Sequence, residues 1–147
     1  MDEQTHSEHA ERVFICMPLK PAAQAPEEAK KEFLENIENA KIVARWAVLN
    51  KYKPIAATIC YPQFFDDFSR EEWALSQNLE RELLALCDWI WIIPADNTQA
   101  ISDEMREDID HAEKLGIKKY WWWHDAVERM KDWLYYYDTI MNWNTKK

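Results

Sequence analysis

Apolar and polar positions fall in blocks along the chain, and each block carries its own period. Residues 12–17 read Arg-Val-Phe-Ile-Cys-Met, a short apolar run with β-branched and aromatic side chains closed by Pro18, and predict a buried strand. After a polar loop, Pro26 with Glu27 and Glu28 suits a helix start, because proline fits the first turn and acids favour the positive end of the helix dipole. Phe33, Ile37, Ala40, Ala44 and Ala47 then recur at helical spacing to about Asn50. Residues 54–60, Pro-Ile-Ala-Ala-Thr-Ile-Cys, predict a second strand, and 61–67 a loop rich in aromatics and acids. Ser69 and Glu72 stand at capping-box spacing before a second helix with Leu75, Leu79, Leu83 and Leu86 as its stripe. Residues 88–93 predict a third strand closed by Pro94, and 95–101 a loop. Ser102 suits the N-cap of a third helix whose stripe is Met105, Ile109 and Ala112, with Gly116 at the left-handed position after its end. A fourth strand over 117–122 follows. Asp125 and Glu128 repeat the capping spacing before a last helix carrying Val127, Met130, Leu134, Tyr137 and Met141.

Strand and helix alternate four times. That order predicts an α/β fold, a doubly wound (flavodoxin-like or Rossmann-like) parallel sheet of about four strands with flanking helices and an aromatic C-terminal helix. Near-continuous apolar strands are what a sheet covered on both faces requires. We expect one domain over 12–141, an acidic tail over 1–11 and a short tail over 142–147. Ligands of such sheets sit outside the carboxyl ends of the strands, where the strand order reverses. The loops 17–25, 61–69 and 95–102 are therefore the expected rim of a site.

Composition narrows the chemistry. Gly116 is the only glycine. A Walker phosphate loop and a dinucleotide fingerprint each need several, so both are excluded. Lys+Arg is 18 and Asp+Glu is 27, a formal charge of −9. A nucleic-acid polymer, which needs a basic face, is not an expected partner, although a helix start can still hold one small anion. No apolar run reaches the ~18 residues of a membrane span, and residues 1–12 lack the apolar stretch of a signal peptide. Cys16, Cys60 and Cys87 are widely spaced in or beside apolar runs. They read as free thiols of a reducing cytoplasm rather than disulfide partners or zinc ligands. His6 and His9 fall in the tail, while His111 and His124 have no spaced partner, so no metal and no cofactor is expected.

Aromatics are 14% of the chain, with nine tryptophans. Trp121, Trp122 and Trp123 stand in series, and Trp133, Tyr135, Tyr136, Tyr137 and Trp143 follow. A strand alternates faces and a helix buries one stripe, so these rings cannot all enter one core. Self-association into a homo-oligomer through the aromatic C-terminal region is the expectation, with stacking on a base and ordinary core filling as the alternatives.

The third predicted helix carries the best candidate chemistry. Asp108 lies three residues after Met105 and four before Ala112, so it borders the buried stripe, and Glu104 lies one turn earlier on the same flank. Two carboxylates then face the rim of the cleft. A carboxylate there can serve as nucleophile or base, and close like charges raise one pKa of the pair. The plainer alternative makes Asp103, Glu104, Glu107, Asp108 and Asp110 a solvated acidic face. Glu80 and Glu82 likewise read as site acids or surface charges, and Asp88 as a site acid or a turn residue.

Several segments together resemble the nucleoside 2-deoxyribosyltransferase-like superfamily, and most closely a branch of small bacterial and phage proteins. They are Val13-Phe14-Ile15-Cys16-Met17-Pro18, the Asn-x-x-x-Ala spacing from Asn36 to Ala47, Pro62-Gln63-Phe64-Phe65-Asp66-Asp67, Cys87-Asp88-Trp89-Ile90-Trp91, and Ser102, Met105, Ile109 and Ala112 at their spacing. The similarity runs from about Val13 to Tyr120. It implies a doubly wound domain that oligomerises and cleaves the N-glycosidic bond of nucleosides or nucleotides. In that family a carboxylate on the helix after the third strand attacks the anomeric carbon, and a base or water resolves the glycosyl-enzyme. Carried over, the resemblance makes Asp108 the nucleophile and gives catalytic roles to Glu80 and Asp88. It places Phe14, Met17, Pro18, Phe64, Ser102, Glu104 and Met105 at the substrate. Asp108 stands where the family has Glu, Glu104 where it has a helix-start Gly, and Phe14 where it has Tyr. Three readings follow. The first is a nucleoside (deoxy)ribosyltransferase or nucleotide N-glycoside hydrolase. The second is a catalytically lapsed binder of a nucleotide or nucleotide-derived signal, and the third a structural, partner-binding oligomer.

Overall fold

The computed structural model describes residues 10–66, 69–94 and 101–145. The expected tail up to residue 9 and the loop at 95–100 lie outside the described residues. Four strands form one parallel sheet: β1 (Arg12–Cys16), β2 (Lys53–Ile55), β3 (Trp89–Ile92) and β4 (Lys118–Trp121), in the order β2-β1-β3-β4. Five helices accompany them: α1 (Pro26–Leu49), α2 (Ala57–Cys60), α3 (Arg70–Leu84), α4 (Asp103–Leu115) and α5 (Ala126–Thr145), with a 3-10 turn at Tyr61–Gln63. This is the expected doubly wound α/β architecture with a C-terminal helix bearing aromatic side chains.

Strand alternation splits the core into two layers. Val13, Ile15, Trp91 and Ile93 face one side and pack with Ala40, Val43 and Ala47 of α1 and Met130 of α5. Phe14, Cys16, Ile90 and Ile92 face the other and pack with Leu84 of α3 and Met105, Ile109 and Ala112 of α4. The small residues of α1 let the helix backbone approach the sheet closely. On its outer flank, Arg45 forks onto Asp138 of α5, with one N–H···O contact at 3.0 Å. The caps form where the sequence places them: Ser69 Oγ accepts from Glu72 N, Ser102 Oγ accepts from Met105 N, and Gly116 takes φ 72° after α4.

Four expectations need correction. The apolar run at 54–60 is a strand only to Ile55; Ala57–Cys60 coils into a helical turn. Ala57, Thr58 and Tyr61 are buried there, and burial makes a short helix as apolar as a strand. β2 is brief because it is an edge strand and Pro54 has no N–H for a further partner. β4 is the other edge, exposed at all four residues rather than covered. The expected leucine stripe of α3 does not hold together: Leu75 and Leu79 are exposed, Leu86 lies beyond the helix and is 59% exposed, and Leu83 alone packs against the core, while Ser76, Gln77 and Leu84 are buried. Finally α5 continues to Thr145, past the expected end at 141, because no glycine or proline stops it.

Candidate functional site

The strand order reverses between β1 and β3. From β1 the chain crosses to β2 on one side, and from β3 it crosses to β4 on the other. The two following loops diverge, and a crevice opens at the carboxyl ends of these strands, as in other open α/β sheets. Met17, Leu19 and Lys20 after β1, Thr58 of α2, and Trp73, Gln77 and Glu80 of α3 line it. Ser102, Glu104, Met105 and Asp108 close it from the start of α4, over a floor of Phe14, Ile15 and Cys16. The hollow encloses about 20 Å³, room for one water, within about 360 Å³ of open space between its walls.

Asp108 is the unusual group here. The Ser102 cap fixes the start of α4 through a 3.3 Å contact to Met105 N. The helical period then turns Asp108 onto the same inner face as Met105, Ile109 and Ala112, and it is 6% exposed. Its Oδ1 has no hydrogen-bond partner among the described residues. Burial pushes its carboxyl up to about 7; the Arg81 guanidinium pulls the other way, and the charges of Glu107 and Glu104 add to the rise. Arg81 is itself held by Glu107 at 3.2 Å. A buried carboxyl poised near neutrality can ionise to attack or hold a proton to give.

The surroundings are acidic. Gln77 Nε2 donates to Glu80 Oε2 at 3.2 Å, and Gln77 Oε1 is buried without a partner among the described residues. Burial, then the charges of Asp108 and Glu80, push the Cys16 thiol well above its ordinary range. Cys16 donates weakly to Met105 O at 3.8 Å and is an inert thiol rather than a nucleophile. Burial and then Glu80 also raise the Tyr61 hydroxyl. The one cation lining the cleft, among the described residues, is Lys20, whose Nζ sits 3.9 Å from the centre of the Trp73 ring.

The structure brings together Asp108, Glu80, Phe14, Met17, Ser102, Glu104 and Met105. It does not bring Asp88 or Phe64 to them. Asp88 sits before β3, at the amino ends of the strands, where its Oδ2 accepts from Arg12 N at 2.8 Å and ties β1 to β3. Phe64 is 65% exposed and packs on Tyr61 and Phe65. Pro18 lies between two lining residues without lining the cleft itself. Thr58, Lys20, Trp73 and Gln77 escaped the sequence reading. For the two on α3 a signal exists: Trp73 and Gln77 share a helix face with Glu80 and Leu84 at 4-3-4 spacing, but that face is partly polar, and the competing leucines masked it.

Among the described residues, no group of three or more His, Cys, Asp or Glu is placed to hold a metal ion, and no helix is long and apolar enough to cross a membrane. A family model described as a domain of unknown function (DUF7768) matches residues 11–121, which takes in all four strands and the whole cleft. No curated protein and no solved structure matches the chain.

Proposed function

The chain belongs to the DUF7768 family of domains of unknown function, and from its cleft we propose that it binds a nucleoside or nucleotide and acts on the N-glycosidic bond. The observation that carries this reading is a pair of buried, unpaired acceptors, Asp108 Oδ1 and Gln77 Oε1, in the crevice at the strand reversal. A buried acceptor left without a donor is costly. A sugar offers hydroxyl donors to such groups and places its anomeric carbon beside the carboxyl.

Ionised Asp108 attacks that carbon. A carbon–oxygen bond forms as the carbon–nitrogen bond breaks, and the bond pair leaves with the base, which takes up a proton. Glu80, held by Gln77, is the neighbouring acid assigned to that proton transfer. Water then attacks the same carbon, releases the sugar and restores the carboxylate; a second base in place of water makes the reaction a transfer. The resemblance of the strand and helix segments to nucleoside deoxyribosyltransferases supports the same assignment.

A second reading is a binder without turnover. Phe14 brings no hydroxyl to the floor, and the enclosed space of about 20 Å³ is small for a nucleoside. Incubation with a panel of nucleosides and 5′-monophosphates, with free base followed by chromatography, separates the two. Base release that disappears in Asp108→Asn supports catalysis. Thermal stabilisation by the same compounds without release supports binding alone. Release at full rate in Asp108→Asn overturns the role of Asp108, and neither release nor stabilisation overturns the proposal. Self-association through α5, whose Tyr135, Tyr136, Ile140 and Trp143 are all more than half exposed, belongs to the same proposal, and light scattering that finds a monomer removes it.

A further inference from the structure

A second hollow lies on the opposite face of the sheet, toward the amino ends of the strands. Tyr52, Trp89, Trp91, Tyr120 and Trp122 line it together with Glu11, and it encloses about 250 Å³. Sheet register builds it. Trp91 pairs with Tyr120 across β3 and β4, and the period of two puts Trp89 and Trp122 on that same face. The walls stand steeply to one another. Tyr52 and Trp91 have ring centres 4.9 Å apart at 73°, Trp91 and Trp122 5.2 Å at 69°, and Tyr120 and Trp122 5.1 Å at 67°. At these angles the rings pack edge to face on one another and together wall a depression open to solvent. Trp91 is buried and forms the floor, while Tyr120 is 48% exposed and forms the rim.

Charge then selects the occupant. Glu11 is the only charged side chain lining the hollow among the described residues, and its carboxylate accepts from Trp89 Nε1. Aromatic faces are electronegative and attract cations. The chain itself uses that attraction: Lys118 Nζ lies 5.2 Å from the centre of the Trp89 ring, outside the hollow's lining. Apart from the Glu11 carboxylate and the Tyr52 and Tyr120 hydroxyls, the lining side chains are indole rings without an acceptor, a wall that suits an alkylated ammonium, with few or no N–H donors to satisfy, better than a primary one with three. The volume falls below the ~300–1,000 Å³ typical of drug-sized sites, which fits a headgroup-sized ligand.

We propose that this hollow binds a small alkylated ammonium ion between its aromatic walls, with Glu11 as counter-charge. The site is independent of the cleft and of the reaction assigned there.

Calorimetric titration of the full chain with choline and with tetramethylammonium tests it, against choline's neutral isostere, in which a quaternary carbon replaces the nitrogen. Both cations are expected to saturate, with the isostere about tenfold weaker. Tyr120→Ala and Glu11→Gln, both at exposed positions, should weaken choline severalfold while far-UV circular dichroism stays unchanged. Asp108→Asn should bind choline as the parent does. Equal affinity for choline and its isostere overturns the proposal. So does a folded protein that fails to saturate at tens of millimolar cation, or parental affinity in both hollow variants. Adenosine binding that is lost in Tyr120→Ala overturns it in favour of a base-stacking site.

Discussion

Asp108→Asn separates the cost of the buried acid from its use. In an unfolded chain this carboxyl releases its proton near 3.8, whereas in the fold it holds the proton to about 7. Between those values the folded chain carries more protons than the unfolded one, so stability falls as pH rises through the window and levels off above about 7. A rise of that size corresponds to about 4 kcal/mol against the charged form. That is a large part of the ~5–15 kcal/mol that holds a domain together. Asparagine keeps the shape and removes the charge at every pH. Near pH 4.5, where the unfolded carboxyl is already mostly ionised, the variant should lead the parent by no more than about 1 kcal/mol. At pH 8 it should be more stable by ~1–4 kcal/mol, the lower end applying if the cavity relaxes or admits water around the carboxylate. Urea unfolding at both pH values measures this, with an unchanged slope showing that the same surface is exposed on unfolding. Parallel stability profiles for parent and variant from pH 4.5 to 8 would refute the reasoning, since the carboxyl would then ionise without penalty.

Glu104→Gln removes a negative charge beside the start of α4, where a 5′-phosphate would meet the helix amides; affinity for monophosphates should rise several-fold relative to the parent nucleosides, measured by thermal shift or calorimetry. Cys60 is exposed, whereas Cys16 and Cys87 are buried with thiols pushed up, Cys87 to about 11. A thiol reagent should therefore label one cysteine per native chain and three in denaturant. At Gly116 an added Cβ meets nothing within 4 Å, so Gly116→Ala should lose only the ~1 kcal/mol of left-handed strain, seen as a melting point lower by a few degrees.

What the sequence made legible follows from how each signal arises. Arg12–Cys16 and Trp89–Ile92 read as strands because the sheet buries both of their faces, and α4 read correctly because Ser102, Met105, Ile109, Ala112 and Gly116 agree on cap, stripe and stop. Asp108 was legible from the same wheel, as the charged residue bordering that stripe. The failures share a cause. Hydrophobicity marks an element's buried face only where the buried face is apolar. On α3 the inner face holds Trp73, Gln77 and Glu80 for the cleft, so its exposed leucines supplied the stronger pattern and pointed away from it. Asp88 and Phe64 were placed by segment similarity rather than by geometry. Strand direction then separates Asp88 from the cleft by the length of β3, and the turn at Tyr61–Gln63 carries Phe64 outward. Lys20 and Trp73 are far apart in the chain, and only the fold stacks one on the other.

The family match stops at Trp121, five residues before α5 begins at Ala126. Yet α5 supplies Met130 to one of the two core layers, and its Trp133 meets Trp46 at 6.3 Å. An expression clone cut at the family boundary would thus be skinned along one side, leaving Trp46 and Trp91 to water and inviting aggregation.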